Sequence, residues 1–336
     1  MLEKFDHPAA WRGEQLFARP DWLYELTDTD IGEIDRAFQG VAQMDLESIT
    51  QEDFSLPRFA TRMTAIQQSL ESGSGATWVR GFPVERYTDE QAMRVFWGLS
   101  RHVGTPVSQS AEGERIFHVR DAGYGDQDPR TRGPNTRKKL SFHTDRCDVI
   151  SFLCLKQAKS GGENFLVSSL ALFNELLERR PDLLQELMRP YYYQRHNVDG
   201  GNALPYCRQP IFSIFEGHFA ASFLRVLIER AYRMPELPEM TDLQREALDY
   251  LEQLAEDPAL HVRFRQQAGD MLFLNNWVTF HRRSDFEDHE TPERKRHLLR
   301  LWLSVPNSRP LDPQFRENFG ATEAGALRGG MRARSA

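Results

Sequence analysis

His143-Thr144-Asp145 sets an imidazole and a carboxylate two residues apart, and in extended chain such side chains leave the same face. The pair could grip one metal ion. A second histidine far downstream, His281, could add a third ligand. Two imidazoles and one carboxylate on one side of an ion, with the opposite positions open, form the facial triad of non-heme Fe(II) oxygenases. The tripeptide alone is a weak signal, because a surface strand can carry both residues for solubility. The following run, Val149 to Leu155, is nearly all apolar and reads as a buried strand, which places the pair at the mouth of a sheet core.

The segment Arg296 to Val305 supplies a second signal. Arg296, Leu298, Arg300, Trp302 and Ser304 share one face of a strand, while His297, Leu299, Leu301, Leu303 and Val305 share the other. The second face packs. If the first face points into a barrel, two guanidiniums enter the interior and require anions there. Arginine is the side chain best shaped to hold a carboxylate through two parallel hydrogen bonds.

The elements that must position these groups are mixed. Helices are expected at about 29–40 and 57–70, then a short strand at Thr77–Arg80, then a helix from the Thr88-Asp-Glu-Gln91 capping box toward His102. Residues 121–141 are rich in Gly, Asp, Pro and Arg and lack periodicity, as a lid or a plain excursion would. Beyond the Ser160-Gly-Gly162 turn come a strand at 164–168, helices at 174–178 and 181–188, and a strand at 210–215. Helices follow at about 220–232 and 241–255, the latter capped by Thr241. Met271 then opens a strand expected to run through Asn275, Asn276 and Trp277 to His281. The tail after Leu311 reads as loosely ordered. No clean boundary separates residues 143 and 281, so a shared metal demands that the intervening chain fold back as an insert. That favours one mainly β, jelly-roll domain over 1–336 with flanking helices: a helical N-terminal part (1–75), a core (76–310) with a helical insert at about 170–260, and a tail (311–336).

Composition narrows the partners. The formal charge is −7 and the pI is about 5.9, which offers no basic footprint for nucleic acid or anionic membrane. The basic cluster Arg130, Arg132, Arg137, Lys138 and Lys139 reads equally as a solvated loop or as a lid greeting an anionic substrate. No stretch reaches 18 apolar residues and the first residues lack a signal-peptide core, so a cytoplasmic protein is expected. Cys147, Cys154 and Cys207 lack metal-ligand spacing and are expected as reduced, buried thiols. Oligomeric state is left open, a homo-oligomer included.

Four segments together carry a family resemblance: Phe142-His-Thr-Asp145, Ser160-Gly-Gly-Glu-Asn164, Gly269-Asp270 through Asn275-Asn276 to His281, and Arg296-His-Leu-Leu-Arg-Leu-Trp302. They resemble the taurine/2-oxoglutarate dioxygenase-like (TauD/TfdA) family of the clavaminate synthase-like superfamily, over roughly residues 75–310. The resemblance implies a double-stranded β-helix core of cupin type, with Fe(II) bound by His143, Asp145 and His281 and with 2-oxoglutarate and O2 as cosubstrates. It places Arg296 on the distal carboxylate of 2-oxoglutarate and Arg300 on cosubstrate or a substrate anion. Asn164 stands where the family often has a threonine supporting 2-oxoglutarate, and its amide can still donate a hydrogen bond. Halogenating relatives lack a carboxylate at the Asp145 position, so the implied reaction is hydroxylation or desaturation of an unactivated C–H, with succinate and CO2 released.

Two other functions share these residues. A cupin-like binding protein could keep fold and metal without oxygen chemistry, but has no need of the Arg296 clamp; a zinc hydrolase would want a carboxylate base beside the metal, and none is evident. His289-Glu290-Thr-Pro-Glu293 only superficially resembles a zinc-protease helix, since Pro292 spoils the turn. His118 reads as a packed strand histidine. Substrate contacts are expected from the 121–141 loop, Lys139, Asn276, Trp277 and Arg300, which suggests a small polar or anionic metabolite such as an amino acid or carboxylate.

Overall fold

The structure is a computed structural model that describes residues 2–124, 128, 133–195 and 202–331. Its N-terminal part carries β1 (Leu23–Glu25), α1 (Asp28–Val41) and α2 (Phe59–Ser72), followed by β2 (Ala76–Arg80), α3 (Asp89–Arg101), β3 (Thr105–Val107) and β4 (Ile116–Val119). The Thr88 hydroxyl accepts from the Gln91 backbone N–H and the Gln91 side chain returns to Thr88, the capping box that starts α3. After His143-Thr144-Asp145 come β5 (Val149–Lys156), β6 (Ser160–Gly161) and β7 (Asn164–Ser168).

Between β7 and the next core strand lie α4 (Ser169–Arg179), α5 (Pro181–Leu187), β8 (Pro190–Gln194), β9 (Tyr206–Pro210), β10 (Phe212–Phe215), β11 (His218–Ala221), α6 (Arg225–Ala231) and α7 (Asp242–Ala255). The insert therefore holds two β-hairpins as well as helices, and the helix expected from residue 220 begins only at Arg225 because β11 occupies 218–221. The chain finishes with β12 (His261–Phe264), β13 (Met271–Asn275), β14 (Thr279–Arg283), β15 (Phe286–Glu287), β16 (His297–Ser304) and α8 (Arg316–Phe319).

Two sheets face each other as a double-stranded β-helix. The larger runs β1-β2-β13-β5-β16-β3 with β4 also on β16, and the smaller runs β12-β7-β14. Leu272, Leu274, Ile150 and Trp302 of the large sheet meet Leu166, Val262 and Phe264 of the small one in the interior. The opposite face of the large sheet, with Leu153, Phe273, Leu299, Leu301 and Leu303, is covered by α1, α2 and α3. This is the packing the alternation in 296–305 predicts. A third core joins α4, α5 and α7 to the hairpins and to Phe280 of β14.

Three expectations are corrected. The segment 271–281 is two strands, because Thr279 Oγ1 donates to the Asn275 carbonyl and Trp277 N–H to Asn275 Oδ1, turning the chain from one sheet to the other. His143-Thr-Asp145 lies outside any regular strand, and only His143 pairs, as an isolated bridge to His281. The tail is docked as far as Met331: Phe315, Phe319, Arg328 and Met331 are all buried.

Candidate active site

The isolated bridge brings the first two candidate ligands together. His143 and His281 exchange both backbone N–H···O bonds at 3.0 Å, and their rings lie 4.4 Å apart. Asp145 Oδ2 is 3.8 Å from His143 Nε2 and 3.3 Å from His281 Nε2. Neighbouring ligands on one ion with bonds of about 2.1 Å are separated by about 3 Å, so a small contraction would close the three onto a metal. All three ligand atoms lie within 4.8 Å of one another. The Ser141 carbonyl accepts from His143 Nδ1 at 2.8 Å, which leaves the Nε2 lone pair facing Asp145.

The electrostatics suit a cation. Asp145 Oδ2 is buried and accepts no hydrogen bond among the described residues, a costly state unless positive charge sits beside it. Burial, then the neighbouring His281, push the His143 pKa down to about 4, so the imidazole is neutral at pH 7. Burial alone would raise the Asp145 pKa, but Arg300 foremost, with the two histidines, holds it well below the usual carboxylate range. A neutral imidazole and an ionised carboxylate are the protonation states that bind a metal. The residues present thus fit a divalent ion.

Beside the triad is a narrow cavity lined by His143, His281, Asn164, Arg296 and Arg300. Arg296 is 2% exposed, and its Nε and Nη1 find no hydrogen-bond partner among the described residues. Burial lowers its pKa to about 10, so it remains charged. Gly162, at φ +70°, passes so close that a Cβ there would stand 3.1 Å from Arg296 Nε; the Gly-Gly turn makes room for the guanidinium. The Asn164 amide reaches this cavity too, while donating to Gln266 Oε1 at 3.2 Å.

Arg300 lies between this cavity and a larger chamber of about 1000 Å³. Its Nη1 is 3.5 Å from Asp145 Oδ1, its Nε donates to Gln109 Oε1 at 2.7 Å, and its Nη2 is buried without a partner among the described residues. Gln109 in turn donates to the Arg300 carbonyl at 2.9 Å. Sequence reasoning missed Gln109, and no local pattern marks a glutamine 191 residues from its partner. It also passed over Arg146 and Arg225 on the chamber wall, which carry no motif.

The proposed substrate contacts divide. Lys139 lines the chamber but is ion-paired to Glu256 at 3.0 Å, and Arg137 is paired to Asp121 at 2.9 Å. Arg130 and Arg132 lie outside the described residues. Asn276 and Trp277 are 1% exposed and line neither cavity. Asn276 instead accepts the Asp145 N–H at 3.0 Å, and Trp277 Nε1 donates to the buried Asp148 at 2.9 Å while packing on Phe315 and Phe319. Trp277→Phe should therefore cost about 1–3 kcal/mol of stability, read by urea unfolding, with substrate KM unchanged. A raised KM at unchanged stability would return Trp277 to the substrate site. His118 meets His297, with Nδ1 and Nε2 2.8 Å apart, away from the triad. The Cys147 thiol, raised well above its usual pKa by burial, stays protonated.

Fold and site together define a jelly-roll protein with a His-Asp-His cluster that could hold a metal ion. The family model "Taurine catabolism dioxygenase TauD, TfdA family" matches residues 41–302, and the chain belongs to this family. It is a Fe(II)- and 2-oxoglutarate-dependent oxygenase. It is 31% identical over 312 residues to FR-33289 synthase of Streptomyces rubellomurinus (strain ATCC 31215), covering 90% of each chain. It is 26% identical over 340 residues to the taurine hydroxylase-like protein SAT17 of Stachybotrys chartarum, covering 94% of this chain and 86% of that one. Among solved structures, asparagine oxygenase in complex with Fe(II), 2S,3S-3-hydroxyasparagine and succinate superposes with a TM-score of 0.65 at 16% identity, over 92% of this chain and 99% of that chain. No helix among the described residues is long and apolar enough to cross a membrane.

Proposed function

We propose that His143, Asp145 and His281 hold the Fe(II), that Arg296 binds the distal carboxylate of 2-oxoglutarate with Asn164 at the cavity wall, and that the substrate is a small polar or anionic metabolite oxidised in the large chamber. One observation carries this reading: a buried guanidinium whose Nε and Nη1 have no hydrogen-bond partner among the described residues opens onto the same narrow cavity as the two histidines. Bound Fe(II) would let O2 serve as the oxidant that couples decarboxylation of 2-oxoglutarate to succinate and CO2 with hydroxylation or desaturation of a substrate C–H bond. The protein's own groups do the rest. The Ser141 carbonyl fixes the His143 tautomer, the Asn276 amide holds the Asp145 backbone, and Gln109 aims Arg300.

Arg300 is the substrate's anion partner in this reading. Arg300 lines the chamber and its Nη2 is buried with no hydrogen-bond partner among the described residues, and the names of two similar proteins, a taurine hydroxylase-like protein and an asparagine oxygenase, point to small acids that also bear an amine. We further assign residues 1–336 to one catalytic domain, because α1–α3 pack on the large sheet whose strand β16 carries Arg300; the β8–β9 hairpin with α6 and α7 of the insert forms a chamber wall.

The test is succinate release by the anaerobically iron-loaded protein across a panel of small amino, sulfonic and carboxylic acids. Stoichiometric succinate with one of them identifies the substrate; no iron uptake and no succinate would overturn the assignment. Arg300→Ala should raise the KM of the organic substrate about 10- to 150-fold, the worth of a hydrogen bond to a charged group, with a smaller effect on 2-oxoglutarate. The reverse ratio would exchange the roles of Arg296 and Arg300.

A further inference from the structure

The backbone that carries Asp145 is gripped from the far end of the chain. Gly330 N–H donates to the Arg146 carbonyl at 2.7 Å, and Met331 N–H to the Ser108 carbonyl at 2.8 Å. The Arg146 side chain closes the ring, donating from Nε to the Gly330 carbonyl at 2.7 Å and from Nη1 to Asn318 Oδ1 at 3.1 Å. Two residues on, Asp148 forms an ion pair with Arg328 at 2.6 Å, their side chains 1% and 0% exposed. The same Asp148 carboxylate accepts from Trp277 Nε1 and from the Val305 N–H. Gly329, at φ +79°, lies so near this backbone that a Cβ would stand 2.6 Å from the Arg146 carbonyl oxygen.

Residues 146 and 148 are thus both fastened to the segment 328–331, while the Asp145 N–H is held by Asn276. The carboxylate of Asp145 hangs from a stretch of chain that the tail clamps immediately downstream. Burial makes the clamp firm, since removing one partner of a buried ion pair leaves the other charge uncompensated and away from water. The tail also faces the chamber through Asn318, Phe319 and Met331.

Building on the assignment of Asp145 as a ligand, we propose that the C-terminal segment Arg328–Met331 is a positioning element of the metal centre: by clamping Arg146 and Asp148 it fixes the Asp145 carboxylate against the two histidines. Outer-shell partners of metal ligands are worth about 10- to 100-fold in metal affinity. By reciprocity of linked equilibria, metal binding must stabilise the clamp as much as the clamp favours the metal.

Hydrogen–deuterium exchange on the full chain, anaerobic with and without Fe(II), tests this directly. Fe(II) should slow exchange at the Gly330 and Met331 amides at least several-fold; unchanged exchange in a protein that binds Fe(II) and releases succinate would overturn the proposal and leave the catalytic assignment standing. In parallel, Gly329→Ala, which pushes the tail off the Arg146 peptide, should weaken Fe(II) binding about 10- to 100-fold when titrated well below its Tm. Affinity within twofold of the parent in the folded variant would overturn the proposal, and if the variant does not fold the exchange experiment decides alone. A parent chain that takes up no Fe(II) would overturn the catalytic assignment and this inference with it.

Discussion

Alanine at His143, Asp145 or His281 is expected to bring 2-oxoglutarate turnover to background, with Fe(II) affinity reduced by more than the factor of about 10–100 that outer-shell changes cause. Each replacement removes one of three ligand atoms grouped within 4.8 Å. The Asp145 variants carry a second penalty, because the Arg300 guanidinium, 4% exposed, loses the carboxylate 3.5 Å away and stays buried with less compensation. Asp145→Gly should retain some iron through the two histidines while losing substrate oxidation. Iron titration alongside succinate release separates these outcomes. Full turnover in any one alanine variant would remove that residue from the metal centre.

Arg296→Ala should weaken 2-oxoglutarate binding about 30- to several-thousand-fold, the 2–5 kcal/mol typical of truncating one partner of a buried charge pair. The size follows from the setting. The guanidinium is 2% exposed and two of its nitrogens have no hydrogen-bond partner among the described residues, so a carboxylate entering the cavity meets a donor already stripped of water and held by the Phe286 ring at 5.1 Å. Metal affinity should change little, since no triad atom contacts Arg296 among the described residues. Anaerobic titration of 2-oxoglutarate into the iron-loaded variant reads the effect. Unchanged affinity there, with a large loss only in Arg300→Ala, would make Arg300 the cosubstrate clamp.

How much of this is legible in the chain depends on how far apart the cooperating residues lie. The His143/Asp145 pair, the Gly-Gly turn and the Arg296/Arg300 spacing are local patterns; the fold places the pair and the two arginines around one pair of cavities and packs Gly162 against Arg296. Asn276 and Trp277 misled because they sit near His281 in sequence, whereas the turn after β13 sends them into the core beneath Asp145 and Asp148. The basic run near Lys139 is a different case, since Lys139 does line the chamber. Its charges look free in sequence, yet Glu256 and Asp121 pair with Lys139 and Arg137 across the fold.

By itself, then, the sequence determined the chemistry and the class of fold. Residue types capable of binding metal and carboxylate recur at short spacings, and the two-residue period of 296–305 assigns one face to packing and the other to the interior. Only the tertiary structure decided which partners those groups have. Gln109 reaches Arg300 across 191 residues, and the tail that reads as loose chain is fastened by Arg328 on Asp148, 180 residues away. Hydrogen bonds and buried ion pairs form between atoms close in space, and that closeness is set by the folding of two sheets and an insert. No window of neighbouring residues contains it.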